Sequence, residues 1–146
     1  MPSTTLKGDW LYATAATLDF PGGEHGPDRA GKWLWFLPVR ALDAGWRLVK
    51  KAVEQDQLGP RAKVSTLGTS FDGDPTRRPV IIYTADSTDE DDVTRVLHAL
   101  RDLGINDYLN YKADAATQLG HYGDGTSLYT SPARTRKVVT LTPRYL

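Results

Sequence analysis

The chain has 146 residues, of which 40% are hydrophobic and 25% charged, as in one soluble globular domain. Its 18 basic and 18 acidic side chains give a net charge of zero, so general nucleic-acid binding is not expected. The absence of cysteine excludes disulfides and thiolate chemistry, and the three histidines form no close ligand pair. With no signal peptide or membrane-spanning apolar run, we expect a cytoplasmic protein without a metal, cofactor or membrane partner.

The first 31 residues are predicted to contribute one strand and one long loop. Asp9 to Ala13 is predicted to form a short strand. Phe20 to Gly31 contains four glycines and two prolines, which preclude regular structure. This loop either covers a ligand or is a surface connector. Residues 32–146 are predicted to complete a single domain that spans 1–146.

The next segment predicts a strand, a helix and a second strand. Lys32 to Leu37 reads as a buried strand, in which Lys32, Leu34 and Phe36 face one side. Ala62 to Leu67 predicts the second strand. Between them, apolar residues at helical spacing predict a helix that ends near Gln57; they are Leu42, Gly45, Trp46, Val49, Ala52 and Val53.

A second unit of the same kind follows a predicted loop over Gly68 to Pro79. Val80 to Thr84 is a strongly apolar strand candidate. Ser87 and Glu90 form the S-x-x-E pattern of a capping box, and Gly104 predicts the helix C-terminus. The apolar stripe of this helix consists of Val93, Val96, Leu97, Leu100 and Leu103.

The C-terminal part is predicted to contain two more strands. They cover Tyr108 to Lys112 and Lys137 to Thr142, and Gly120 to Pro132 between them is predicted to be a loop. The element order is then β, β-α-β, β-α-β, β. This order predicts an α+β fold in which both helices pack on one face of the sheet.

Four basic or phenolic side chains stand at matched places in the two β-α-β units. Lys32 and Lys63 belong to the first unit, and Tyr83 and Lys112 to the second. A buried ammonium needs an anionic partner or a lowered pKa, so their convergence predicts a phosphate or carboxylate site. The simpler alternative is that each lysine reaches out to water and that Tyr83 keeps a solvated hydroxyl.

Other polar and aromatic residues are weaker candidates. Arg77 and Arg78 precede the strand of Tyr83 and are either phosphate ligands or solvated loop residues. His121 lies in a glycine-rich loop, as a titratable group of the site or as a surface histidine. Trp33 and Trp35 are predicted to pack in the core, with base stacking as the alternative.

Several stretches together resemble the basophilic-leukaemia-expressed protein family: GKWLWF, LGPRAKVSTLG, RPVIIYTADSTDEDDVTRVLHALRDLGI and LNYKADAATQLGHY. The resemblance covers about Lys32 to Tyr129. Members are described as phosphothreonine-lyase-domain proteins and share the α+β fold of the translation initiation factor that binds the messenger RNA cap. The resemblance implies one mostly antiparallel, curved sheet with two helices on one face, and a lyase-like core over residues 32–146.

A more distant similarity to bacterial phosphothreonine lyases implies roles for the four residues. Those enzymes remove phosphate by metal-independent β-elimination, in which a lysine takes the α-proton and a histidine protonates the leaving phosphate. By this pattern Lys63 is the base, and Lys32, Tyr83 and Lys112 hold the substrate. As a general base, Lys63 requires a lowered pKa, which we expect from burial and from repulsion by Lys32 and Lys112.

The position of the acid histidine departs from the lyase pattern. It holds Leu34, which cannot donate a proton, so either His121 replaces it or elimination is lost. Arg77 or Arg78 would replace the lyase arginine. The resulting hypothesis is a protein that binds a phosphorylated small molecule or phosphopeptide and eliminates its phosphate. The alternatives are a non-catalytic module that binds a nucleotide or phospho-ligand, and a structural adaptor.

Overall fold

A computed structural model describes residues 1–4, 10–16, 30–67, 76–114 and 127–141. Within these residues the chain forms two α-helices, seven strands and a short 3₁₀ turn at Pro2–Thr4. The elements in chain order are β1 Leu11–Thr14, β2 Gly31–Pro38, α1 Val39–Glu54, β3 Arg61–Val64, β4 Arg77–Thr84, α2 Glu90–Asp102, β5 Leu109–Ala113, β6 Ser127–Ser131 and β7 Val139–Thr140.

The seven strands form one curved sheet in the order β1-β3-β4-β2-β5-β6-β7, and every neighbouring pair is antiparallel. β2 and β3 flank α1 in the sequence, yet β4 lies between them in the sheet. In the same way β2 lies between β4 and β5, which flank α2. The two β-α-β units therefore interleave, and their four strands become neighbours. The predicted α+β fold is confirmed.

The core lies between the helices and one face of the sheet. Alternation along β2 places Trp33, Trp35 and Leu37 on this face, where they pack with residues of both helices. The Trp33 indole nitrogen donates to the Val93 carbonyl oxygen at 3.1 Å, and the Trp35 indole nitrogen donates to Asp107 at 2.8 Å. Both rings are buried and internally hydrogen-bonded, so neither is available to stack on a base.

Helix α2 begins with a different cap from the one predicted. The Asp89 side chain accepts from the Asp92 backbone N–H at 3.1 Å and is the N-cap residue, so the proposed Ser87–Glu90 box is wrong. Ser87 is buried, and its carbonyl accepts from the Tyr129 hydroxyl at 3.2 Å. At the other end, Gly104 has a φ of 90°, the left-handed conformation predicted for the C-terminal stop.

Several strand limits differ from the predicted ones. β4 begins at Arg77, three residues before the predicted start, so Arg77 and Arg78 are strand residues. β6 occupies part of the predicted loop Gly120 to Pro132. It was missed because its buried positions alternate as Ser127, Tyr129 and Ser131, which gives a weak hydrophobic signal. β7 has two residues instead of six. The predicted loop over residues 20–29 lies outside the described residues, as do 68–75 of the second.

The C-terminal segment is attached to α2 by one buried arginine. The Arg101 guanidinium donates to the backbone carbonyls of Ile105 at 2.9 Å and Asp107 at 2.7 Å, and to those of Thr135 at 2.7 Å and Pro132 at 3.1 Å. It is only 7% exposed. Because its partners belong to two separate segments, Arg101 holds both against the last turn of α2.

Candidate anion-binding site

The face of the sheet opposite the helices, called the open face below, collects the four predicted residues. Lys32 on the central strand β2 is paired with Tyr83 on β4 and with Lys112 on β5. Lys63 on β3 is paired with Ile81, the next open-face position along β4. Because side chains of paired residues lie on the same face, the interleaving of the two units brings these side chains together.

Tyr83 lies at the centre of a group of cations. The Arg61 guanidinium carbon lies 4.5 Å from the Tyr83 ring centroid, and the ammonium nitrogens of Lys32 and Lys63 each lie 5.9 Å from it. Burial raises the pKa of Tyr83 well above its usual value, and the Asp114 carboxylate adds to this. Tyr83 therefore stays a phenol at neutral pH, able to donate a hydrogen bond.

Lys32 has a carboxylate partner. Its ammonium nitrogen lies 3.0 Å from Asp114 Oδ1, and the two side chains are 11% and 18% exposed. The distance is that of an ion pair, but Asp114 Oδ1 is buried and accepts no hydrogen bond. The pair is thus held by charge rather than by a well-directed hydrogen bond. The ion pair offsets part of the free-energy cost of burying the Lys32 ammonium.

Lys63 has no such partner. Among the described residues no carboxylate lies within 4.0 Å of its nitrogen, which instead lies 4.3 Å from the Trp10 ring centroid. Burial, with repulsion from Lys32 and Arg61, lowers the pKa of Lys63 from 10.5 to about 8, and Asp114 opposes this shift. The lowered pKa was predicted from burial, Lys32 and Lys112; the second repelling cation is Arg61.

An apolar patch adjoins the cations. Leu34, Ile81 and Tyr83 form a second, smaller cluster of buried residues, and Trp10 packs against it. Phe36, two residues after Leu34 on β2, is 37% exposed. Leu34, at the position where the lyase pattern would have its acid, is thus part of an apolar cluster. The open face therefore presents a cationic region beside an apolar one.

Arg77 and Arg78 are not part of this group. Arg77 lies at the far end of β4, opposite Pro38, and donates to the Phe36 carbonyl at 3.0 Å. Arg78 is paired with the core residue Leu37, is buried, and donates to Ser65 Oγ at 3.3 Å. His121 lies outside the described residues, so its predicted role as the acid stays a prediction.

Three residues of the site were missed by sequence reasoning. Arg61 is two positions before Lys63, so alternation along the strand could have placed both on one face. Asp114 belongs to the YK-x-D motif of the family resemblance, but no signal pairs it with Lys32. Trp10 precedes β1, and only the pairing of β1 with β3 brings it to Lys63.

Within the described ranges, no cluster of three or more His, Cys, Asp or Glu residues could hold a metal ion. The helices found there are also too short or too polar to cross a membrane.

Residues 27–120 match the family described as basophilic leukemia-expressed protein Bles03. The chain belongs to the Bles03 family. Its fold is similar to that of Ascaris suum eIF4E-3, whose crystal structure was determined with an m7G cap. The TM-score is 0.57 at 18% sequence identity, and the match covers 85% of this chain and 69% of that one. Both the family and the cap-binding-factor fold predicted from the motifs are confirmed. The similarity to phosphothreonine lyases stays a prediction for this Bles03 family member.

Proposed function

We propose that the open face binds a small phosphorylated ligand, with its phosphate among Lys32, Arg61, Lys63 and Lys112. The observation that carries this proposal is a local excess of charge. The described strands place these four cations and one carboxylate, Asp114, on one sheet face, although the whole chain has no net charge. Such a concentration of cations favours a multiply charged anion over a single carboxylate.

The surroundings of the cations support a ligand with a second, apolar part. A phosphate oxygen beside Tyr83 could accept a hydrogen bond from the phenol hydroxyl, because Tyr83 stays protonated. The partly exposed Trp10, which packs against Leu34 and Ile81, offers an apolar surface for carbon atoms or a ring. The m7G cap in the eIF4E-3 structure supports ligand binding by this fold. A phosphorylated small molecule and a phosphopeptide both have the required chemistry.

A titration with inorganic phosphate, followed by NMR chemical shifts at low salt, tests the proposal. Arg61→Gln should weaken phosphate binding by about three- to tenfold, since it removes about 0.7–1.4 kcal/mol of attraction. Lys51→Gln removes the same charge from an exposed position on α1 and serves as the matched control, which should bind as the wild type does. Equal effects of the two substitutions would mean that the open face has no phosphate site.

The second candidate function is elimination of the phosphate from phosphoserine or phosphothreonine. It is favoured by the placement of Lys63, whose amine lies beside Tyr83 together with Lys32 and Arg61. Burial and these cations lower the pKa of Lys63 to about 8, which leaves about a tenth of the amine neutral at pH 7. The amine would take the α-proton while the C–O bond to phosphate breaks, leaving an alkene. Against it, Leu34, at the position where the lyase pattern has its acid, has no proton to donate to the leaving group.

Lys63→Arg separates the two functions. Arginine keeps the positive charge but cannot accept a proton at neutral pH, so phosphate binding should stay within about tenfold of wild type while elimination stops. The assay is incubation with phosphorylated Ser/Thr peptides and detection of free phosphate and alkene. If the wild type binds these peptides and forms no product, the open face is a binding site alone.

A further inference from the structure

The two lysines nearest Tyr83 have opposite environments. Lys32 is in an ion pair with Asp114 at 3.0 Å. Among the described residues no carboxylate lies within 4.0 Å of the Lys63 nitrogen, which lies 4.3 Å from the Trp10 ring centroid and 5.9 Å from that of Tyr83. Lys63 is only partly buried. An amine without a carboxylate partner and flanked by other cations loses its proton readily, which is the first requirement of a nucleophilic lysine.

We propose that Lys63 is a nucleophile that captures the carbonyl carbon of a small anionic aldehyde or ketone as a reversible imine. This inference goes beyond the proposed phosphate binding, because it assigns a covalent step to Lys63 and does not require the anionic group to be a phosphate. Lys32 and Arg61, on either side of Tyr83, would hold that anionic group close to the amine.

The reaction needs no further reactant. Lys63 first releases its ammonium proton to solvent, and the free electron pair of the nitrogen attacks the carbonyl carbon. The resulting carbinolamine then loses the former carbonyl oxygen together with the two amine hydrogens as one water molecule, leaving a C=N bond. Hydrolysis reverses the sequence and returns the amine. No group is oxidised or reduced in these steps.

The ionisation of Lys63 is consistent with this role. With a pKa of about 8, roughly a quarter of the Lys63 amine is neutral at pH 7.5, against about one in a thousand for an ordinary lysine. Two exposed lysines of the same molecule serve as references for the reactivity of Lys63. Lys51 on α1 and Lys137 before β7 are both exposed, and both belong to the same folded molecule.

Trapping with borohydride tests the proposal on the intact protein. The wild type is incubated at about pH 7.5 with pyridoxal 5′-phosphate, an aldehyde that carries a phosphate, and parallel samples receive pyridoxal, which lacks the phosphate. Borohydride reduces any imine to a stable secondary amine, and peptide mass spectrometry measures the modification of each lysine. Lys63 should be modified at least tenfold faster than Lys51 and Lys137 by pyridoxal 5′-phosphate. Lys63→Arg should remove that fast fraction alone.

The outcomes separate this proposal from the proposed function. If pyridoxal 5′-phosphate modifies Lys63 faster than pyridoxal does, both proposals are supported. If both aldehydes modify Lys63 selectively and equally, the nucleophile is supported and the phosphate site is not. If Lys63 reacts no faster than Lys51 while inorganic phosphate still binds the open face, the nucleophile is refuted and the phosphate site stands.

Discussion

Replacing Lys63 with methionine should stabilise the protein at neutral pH, and the gain should disappear in alkali. Burial, Lys32 and Arg61 lower the pKa of Lys63 from 10.5 to about 8, so the folded state disfavours the ammonium relative to the unfolded chain. Methionine has a similar length and no charge to desolvate. A stabilising substitution at a proposed functional residue is expected when the residue is maintained for its chemistry rather than for the fold.

The magnitude follows from the pKa and the exposure. For a fully buried group the shift would correspond to roughly 3 kcal/mol. Because Lys63 is partly exposed, solvent screening reduces the penalty to roughly 1–2 kcal/mol, and losing the Trp10 contact removes about 0.5 kcal/mol of the gain. Lys63→Met should therefore raise the free energy of unfolding by about 1 kcal/mol at pH 7.

The pH dependence has a definite sign. Below about pH 8 both states carry the proton and the full penalty applies. Between about pH 8 and 10.5 the folded state has released its proton and the unfolded state has not, so the free energy of unfolding of the wild type rises towards that of the variant. Above pH 10.5 Lys63 is neutral in both states, and no further change is expected. Urea unfolding at several pH values from about 7 to about 10 measures this, with Lys51→Met as the exposed control. A loss of stability at pH 7, or a gain that does not change with pH, would refute the reasoning.

Three other substitutions give separate tests. Asp114→Asn should tighten inorganic phosphate binding about three- to tenfold because it removes the carboxylate that pairs with Lys32. Asp102→Asn, on the helix side of the sheet, should not change it, and unchanged titrations of both variants would contradict the charge argument. Arg101→Met should lower the free energy of unfolding by about 2–4 kcal/mol in urea, because several buried carbonyls lose their donor, without changing phosphate affinity. Gly31→Ala should cost about 2 kcal/mol or more, because its Cβ would overlap the buried Tyr111 hydroxyl; a circular-dichroism melt like that of wild type would show that Tyr111 can move.

The helices and strands could be predicted from the sequence better than the pairing of the strands in the sheet. Local periodicity predicts both helices and the apolar strands, and turn chemistry predicts the positive φ of Gly104. Both signals depend on only a few consecutive residues. The missed strand β6 has only one large apolar residue in its interior-facing set, Tyr129, and becomes a strand because β5 offers it a partner. Such tertiary pairing is not visible in a window of five residues.

For the candidate site, too, individual residues could be predicted from the sequence, but their arrangement could not. The sequence singles out Lys32, Lys63, Tyr83 and Lys112 because burying a cation or a phenol in an apolar strand costs free energy unless the group has a polar partner. Their order across the sheet could not be predicted from the sequence, because a strand of each β-α-β unit is inserted between the two strands of the other unit. Asp114 follows β5 immediately and reaches Lys32 only through that pairing.

The location of this one carboxylate determines the chemistry that the open face can support. If Asp114 lay as close to Lys63 as it does to Lys32, it would hold the pKa of Lys63 higher, and the face could only attract anions. It lies 3.0 Å from Lys32, and Lys63 is left against Trp10 with its pKa lowered to about 8. The face thus has one lysine in an ion pair with a carboxylate and a second whose pKa is lowered to about 8. Binding an anion needs only the first; proton abstraction and imine formation both need the second. Leu34 distinguishes these two reactions in turn. Expulsion of phosphate requires an acid, and Leu34 has no proton to give, whereas the carbinolamine can lose its hydroxyl as water with a proton taken from solvent.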